Sequence, residues 1–210
     1  MTEKLSTGIE ELDRELSGGI GPGSLVSVIA GPATQSESLF HQLIELRPTL
    51  YLSTLREAAA VEGNLGGLSD DLFVKEVLGE RRMERESLKE ITGTRGYSMS
   101  IGTADGVLDT VYETIDRIDR RMNVVIDPVN PLEETDERGA YRDVLNKFKS
   151  KLLETDSLGV LHCITLEDAP PMRDVTLAIS DVVIEIELIS LTNEMQYQLT
   201  IPKNRGGTPM

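Results

Sequence analysis

Hydrophobic positions along the chain follow two different periods, and the two kinds of segment alternate. Continuous apolar runs rich in β-branched residues predict buried strands at 24–32, 49–55, 123–128 and 158–165. Apolar residues at helical spacing predict amphipathic helices at 8–16, 36–46, 106–121, 138–155 and 172–180. Two final apolar runs, 181–190 and 195–203, predict a hairpin.

This alternation predicts an α/β domain with a mostly parallel central sheet flanked by helices, and an antiparallel hairpin at one edge. The 210 residues suit a single domain over 1–210, with a loose tail at about 203–210. The region 56–95 shows no clear period. Within this region the sequence indicates a Gly-rich turn at 62–70 and then a charged helix. A short strand is predicted after it, at 97–101.

The charge balance limits the classes of partner that the protein can bind. Net charge is −15, from 36 acidic and 21 basic residues. Such a surface repels nucleic acid, which is bound through clustered Lys and Arg, so we expect no direct nucleic-acid contact. Two interpretations of the acidity stay open, an ordinary acidic bacterial protein and a halophilic, archaeal protein from a high-salt cytoplasm. The second is favoured, because salt screens the self-repulsion of a carboxylate-rich surface.

The expected location is the cytoplasm. No run of 18 apolar residues predicts a membrane span, and the first residues lack the basic and apolar pattern of a signal peptide. The single cysteine, Cys163, permits no internal disulfide.

Candidate chemistry lies in the loop after the first predicted strand. There "GPATQSES" begins with Gly31 and ends with Ser38, between a strand and a helix, which is the context of a phosphate-binding loop. Far downstream, Asp127 ends the strand "NVVID", where a carboxylate can hold the magnesium shell of a nucleoside triphosphatase. The order and spacing of the two segments together indicate a nucleotide-binding fold.

Further segments resemble the KaiC-like branch of the RecA superfamily. The opening "STGIEELDRELSGGIGPGSLVSVIAGP" carries the positions typical of that branch: Thr7, Gly8, Ile9, Leu12, Asp13, Gly18, Gly19, Ile20, Gly23 and Ser24. The likeness continues at "VVIDP" and at "ISDVVIEIEL" followed by "QLTIPKNRGG". The resemblance implies a RecA-like P-loop fold. It also implies that Lys203 and Arg205 approach a nucleotide in the neighbouring subunit.

The loop departs from this pattern at the residues that hold phosphate. Ser36 replaces the second glycine, Glu37 replaces the lysine, and Thr34 stands where the family usually has another glycine. At roughly 4 Å and an effective dielectric of about 20, each unit-charge pair is worth about 4 kcal/mol, so Glu37 removes an attraction and adds a repulsion of that order. The helix N-terminus contributes only about 0.3 to 2 kcal/mol. We therefore predict that the loop no longer receives phosphate.

The two carboxylates have further interpretations. Glu37 either caps the free amides of its own helix, which is favoured, or binds a basic group of a partner or neighbouring subunit. Asp127 is interpreted as capping the turn before Pro128. The family's catalytic glutamate is also missing, because the stretch "YLSTLREAAA" has Arg56 at one of the likely positions and Glu57 comes late.

The remaining candidates are the histidines and the cysteine. His162 and Cys163 are neighbours on a predicted strand, so they point to opposite faces and one of them should be buried. His41 and His162 have no metal-ligand spacing, and we expect no metal site. No Ser-His-Asp arrangement is apparent in the sequence.

Three functions follow from these observations. The favoured one is a non-catalytic RecA/KaiC-like domain, a pseudo-ATPase that serves as a regulatory or protein-interaction module with itself, a paralogue or another protein, and that needs no cofactor. The alternative is an ATPase with weak or unusual binding of ATP and Mg²⁺, using the retained Ser38 and Asp127 and a neighbour's Lys203 and Arg205. A signalling or recombination accessory factor rests on fold analogy alone.

Overall fold

The computed structural model describes residues 3–32, 34, 36–65, 67–77, 104–191 and 194–205. In this part of the chain the strands are β1 (Leu25–Ala30), β2 (Thr49–Ser53), β3 (Leu72–Glu76), β4 (Asn123–Asp127), β5 (Leu158–Ile164), β6 (Val182–Leu191) and β7 (Glu194–Asn204). The helices are α1 (Glu10–Glu15), α2 (Glu37–Leu46), α3 (Ala58–Leu65), α4 (Ala104–Asp116), α5 (Asn130–Glu133), α6 (Arg138–Thr155) and α7 (Arg173–Ile179).

The strands form one sheet in the order β3-β2-β4-β5-β1-β6-β7. All neighbours pair in parallel except β6 and β7, which form the predicted antiparallel hairpin at one edge. The predicted α/β class is confirmed. None of the helices in the described ranges is long and apolar enough to cross a membrane.

Two apolar layers cover the sheet, one on each face. On one face, α4 and α6 pack over a cluster that includes Val124, Ile126 and Cys163. On the other, α2 packs with Phe40 and Ile44 in a cluster that also holds the alternate residues of the strands. The alternation arises because successive residues of a strand point to opposite faces. Because the central strands are covered on both faces, the polar side chains at their ends are buried as well.

The segment before β1 explains the family-like opening. Asp13 accepts hydrogen bonds from both the backbone N–H and the hydroxyl of Thr7, each at 2.7 Å, so the Thr7 turn is tied to α1. Leu5 and Ile20 form an isolated antiparallel bridge that closes the loop. Gly19 has a φ of +110°, and a Cβ there would lie 2.3 Å from the Leu5 carbonyl oxygen. Only glycine fits that position.

Several element predictions differ from the structure. Strand β3 and the short helix α5 were not predicted, and the first residues of the expected Gly-rich turn belong to α3. The tail was predicted to be loose from about residue 203, but β7 continues through Asn204 and the Arg205 amide donates to the Asp181 carbonyl at 2.8 Å. The predicted charged helix and the strand at 97–101 lie outside the described residues.

Candidate functional site

The phosphate-loop position lies at the carboxyl end of β1, beside the ends of β4 and β5. Parallel strands bring their carboxyl ends to one edge of the sheet, where ligands of α/β folds bind. Within the loop, Thr34 donates from its hydroxyl to the Gly31 carbonyl at 2.7 Å and from its amide to the same oxygen at 3.1 Å. Thr34 is therefore buried and closes the loop on itself.

Asp127 is the most heavily bonded group at this edge. Its side chain is 5% exposed and accepts hydrogen bonds from His162 Nδ1 at 2.5 Å, from Arg56 Nη2 at 2.6 Å and from the Tyr51 hydroxyl. It does not cap the turn before Pro128 with its side chain, so that interpretation is corrected. The reason is the sheet order, which places β2 and β5 on either side of β4.

The electrostatics of Asp127 follow from these contacts. Burial by itself raises the pKa of Asp127, but the hydrogen bonds from His162 and Tyr51 and the charge of Arg56 outweigh it and lower the pKa below its ordinary value. Burial and the nearby Asp127 charge raise the pKa of Tyr51. The tyrosine is thus a neutral donor and the aspartate an ionised acceptor.

Arg56, one of the residues at the positions where the sequence likeness led us to look for a catalytic glutamate, brings a cation to this edge of the sheet. The turn after β2 directs it, since the Ser53 hydroxyl donates to the Arg56 carbonyl at 2.7 Å. Its Nη1 lies 3.4 Å from Glu37 Oε1, while its Nη2 contacts Asp127. Burial of the guanidinium lowers its pKa, but Tyr51, Asp127 and Glu37 outweigh that effect and raise it.

Glu37 is the first residue of α2, and its side chain is 54% exposed. Its described side-chain contact is with Arg56, a basic group of its own chain. The two sequence interpretations, a cap of its own helix or a contact with a partner, did not include this pair. Glu37 is therefore linked through Arg56 to the buried aspartate.

Ser36 and His162 complete the chain of contacts. The Ser36 hydroxyl lies 3.0 Å from His162 Nε2, and both residues are buried. The Phe40 ring packs edge-on against the imidazole, with ring centroids 5.0 Å apart. A Ser-His-Asp arrangement is thus present, contrary to the sequence-based expectation. We refer to the connected side chains of Ser36, Glu37, Tyr51, Arg56, Asp127 and His162 as the Asp127 network.

Cys163 lies on the opposite face of β5, as predicted for the neighbour of His162. Both residues are buried, whereas the sequence led us to expect only one. Burial, with a smaller contribution from Glu133, raises the pKa of the Cys163 thiol to about 12, so it remains a neutral core group. Among the described residues, no group of three or more His, Cys, Asp or Glu side chains could hold a metal ion.

Lys203 and Arg205 lie at the other end of the sheet from this site. Lys203 pairs with Val183, which is level with the start of β1, whereas the loop follows the end of β1. Lys203 Nζ donates to the Leu177 carbonyl at 2.5 Å, and Arg205 Nη2 donates to the Ala178 carbonyl at 2.6 Å. The two cations therefore cap the C-terminal end of α7 and do not join the loop of their own chain.

A cleft of about 470 Å³ opens beside Glu37 and Arg56, two members of the Asp127 network. Its lining consists of Glu37, Ser38, His41, Arg56, Asn64 and Leu65. Ser38 is thus on the wall of an open space, whereas Asp127, which contacts Arg56, does not line it. The structure brings the loop and Asp127 together, as the motif order predicted.

Comparison with known proteins supports the fold. The model of a family of unknown function, DUF7125, matches residues 4–210. A solved KaiC-like protein from the hyperthermophilic archaeon Pyrococcus horikoshii OT3 is similar to this chain with a TM-score of 0.68 and 17% identity, covering 98% of this chain and 90% of that one. No curated protein matches. At this identity the likeness shows the fold alone, and that fold is the KaiC-like, RecA-like one.

Proposed function

We propose that this chain, which belongs to the DUF7125 family of unknown function, is a RecA/KaiC-like domain that has lost ATP binding and acts as a regulatory or protein-interaction module. The observation that carries the proposal is the occupation of Asp127. The carboxylate that would hold a magnesium shell is bonded to Arg56, His162 and Tyr51.

These residues do not fit a magnesium ion. Mg²⁺ needs carboxylate oxygens and retained waters in octahedral geometry, and it would have to displace the Arg56 guanidinium. The loop is unsuited to phosphate for a separate reason, since Glu37 adds a negative charge where the lysine should neutralise one. The magnesium half of the nucleotide site is therefore occupied by the chain's own side chains, and the phosphate half carries the wrong charge.

The alternative function is an ATPase with weak or unusual nucleotide binding, acting in signalling or as a recombination accessory factor. It draws on the retained Gly31 and Ser38 and on Lys203 and Arg205 of a neighbouring subunit. For Mg²⁺ to bind, Arg56 would have to leave Asp127. ATP and Mg²⁺ would be the cofactors in that case only.

A melting experiment separates these two functions. We expect the wild-type protein to melt at the same temperature with and without millimolar ATP and Mg²⁺, measured in multimolar KCl to suit a proposed halophilic, archaeal origin. A ligand present at 100 times its dissociation constant would add about 2.7 kcal/mol, a shift of several degrees. Such a shift in wild type would contradict the proposal. The matched variant Ser36→Gly/Glu37→Lys, which restores the family residues and repels Arg56, is expected to gain a nucleotide-dependent shift.

The surface for a partner is the outer half of β7. Met195, Tyr197 and Leu199 are 61%, 50% and 38% exposed and alternate along the strand, so they share one face. Ile201, two residues further on the same face, packs against the core. We call Met195, Tyr197 and Leu199 the apolar strip. The strip continues the core-facing side of β7 past the point where other residues of the chain cover it.

The charge pattern favours a second copy of this chain as the occupant. Residues 195–201, "MQYQLTI", carry no charge in a chain of net charge −15. Two copies repel one another over most of their surface, and an uncharged strip is where they can meet at least cost. A two-fold axis would place one apolar strip on the other.

Mass measurement by light scattering tests the partner surface. We expect a dimer for wild type in multimolar KCl and a monomer for Tyr197→Lys, because an unpaired charge in an apolar contact is costly. Gln198→Lys adds the same charge on the opposite face and should stay dimeric. If wild type were monomeric, or if the two lysine substitutions had equal effects, a second copy of this chain would not be the partner at the apolar strip. The loss of ATP binding would still be tested by the melting experiment.

A further inference from the structure

We propose that Ser36, His162 and Asp127 form a nucleophilic relay that takes a short acyl group from an ester or thioester. This activity goes beyond the proposed loss of ATP binding, which does not require it. The three side chains come from the loop before α2, from β5 and from the end of β4. They are joined by contacts of 3.0 Å between Ser36 Oγ and His162 Nε2 and 2.5 Å between His162 Nδ1 and Asp127 Oδ1.

The direction of the hydrogen bond between His162 and Asp127 follows from the charge on Asp127. The carboxylate is ionised and accepts from Arg56 and Tyr51 as well, so His162 Nδ1 must donate its proton to it. In the neutral imidazole the other nitrogen, Nε2, is then an acceptor. With the imidazole in that neutral form, the Ser36 hydroxyl donates to Nε2, which is the arrangement of a serine with its general base and an orienting carboxylate.

The surroundings hold this geometry. Phe40 packs against one side of the imidazole, and the His162 carbonyl accepts the Val129 amide at 2.8 Å. Among the described residues, no buried side-chain nitrogen or oxygen lacks a partner. The relay is thus fixed before any substrate arrives, as catalysis by proton transfer requires.

The start of α2 also supplies hydrogen-bond donors for the developing charge. Ser36 directly precedes α2, a helix of 10 residues that follows a parallel strand. In hydrolases that use a serine between a strand and a helix, the amide after the nucleophile stabilises the oxyanion. The first amides of a helix have no acceptor within the helix, so those of Glu37 and Ser38 suit this role.

The reaction balances with water as the second substrate. Ser36 Oγ attacks the acyl carbon, its proton passes to His162 Nε2, and the leaving alcohol or thiol departs with that proton, giving an acyl-serine. Water then attacks the acyl-serine, gives one proton to Nε2, and releases the carboxylic acid as Ser36 recovers its hydroxyl proton. Because Ser36 is only 7% exposed, the acyl group must be slender, such as acetyl.

The test uses covalent labelling of the full chain. Wild-type protein is incubated with 4-nitrophenyl acetate and, separately, with a linear alkyl fluorophosphonate, and the modified residue is located by peptide mass mapping. We expect one adduct per chain on Ser36. Ser36→Ala should abolish it, and His162→Gln should slow its formation by about 10⁴-fold. Release of nitrophenol should show a burst followed by a slower steady rate.

Three results would overturn the relay. These are an unlabelled wild type after prolonged incubation at millimolar reagent, an adduct on another residue such as the nearby Ser38, and labelling of His162→Gln at the wild-type rate. The melting temperature of each variant is measured first. If either variant fails to fold, the residue that carries the adduct in the wild-type protein still tests the relay, because this measurement needs no substitution.

Discussion

Replacing Asp127 by alanine is expected to lower the free energy of unfolding by about 3 to 5 kcal/mol, because the change leaves the buried donors of Tyr51 and His162 without their acceptor and removes the shorter of the two ion pairs of Arg56. Urea denaturation at pH 7 measures this. In a working magnesium site the opposite is expected, since a carboxylate held for a metal is repelled by its neighbours until the metal arrives. A large loss of stability without any metal thus distinguishes a structural network from a nucleotide site.

The pH dependence gives the same prediction a second readout. The pKa of Asp127 is lower in the folded protein than in the unfolded chain, so its contribution is fully present above the ordinary aspartate value of about 3.9 and is lost as pH falls through the folded value. The stabilisation that arises from the ionisation of Asp127 should therefore be complete at pH 5 and above. It should shrink below about pH 4.

Asp116→Ala is the matched control. Asp116 is also paired, with Lys147 at 2.5 Å, and the hydrogen bond from Lys147 lowers its pKa as well, but its side chain is 54% exposed. Water replaces the lost partner at such a site, so the midpoint of denaturation should not move measurably. Equal effects of the two substitutions would mean that the Asp127 network does not stabilise the fold.

The sequence predicted the sheet well because its central strands carry continuous apolar runs. Strands β1, β4 and β5 and the long helix α6 lie where the hydrophobic pattern indicated. Strand β3 was not predicted. Its sequence, "LFVKE", is short, half-buried and at the edge of the sheet, so it lacks the continuous apolar run that marks the central strands.

The site was only half predictable. Ser36, Glu37 and Asp127 were marked by their places in a motif, but Arg56 and His162 became neighbours of Asp127 through the order of strands, across 71 and 35 residues of chain. One signal was present in the sequence. A tyrosine in "TLYLS" and a histidine in "LGVLHCI" are polar groups inside buried strands, and such groups must find partners.

The second large effect concerns a buried ion pair on the opposite face of the sheet. Glu133 is fully buried, and its carboxylate accepts from Arg173 Nε at 2.9 Å and from Nη2 at 2.8 Å, as well as from the Thr176 hydroxyl. The same guanidinium contacts the Ile164 carbonyl at the end of β5 at 3.3 Å. This pair joins α5 and α7 to the strand that carries His162.

Arg173→Met should destabilise the protein by about 3 to 5 kcal/mol, since it leaves the Glu133 charge buried and unpaired. The double variant Glu133→Leu/Arg173→Met should recover most of this loss, because an apolar pair of similar volume avoids the desolvation of both charges. Arg138→Met is the control. Arg138 also pairs with a residue of α7, Asp174 at 2.7 Å, but both side chains are more than half exposed, so no measurable change is expected. If the double variant were as unstable as Arg173→Met, the lost stability would come from the contacts of the arginine with β5 and not from the unpaired Glu133 carboxylate.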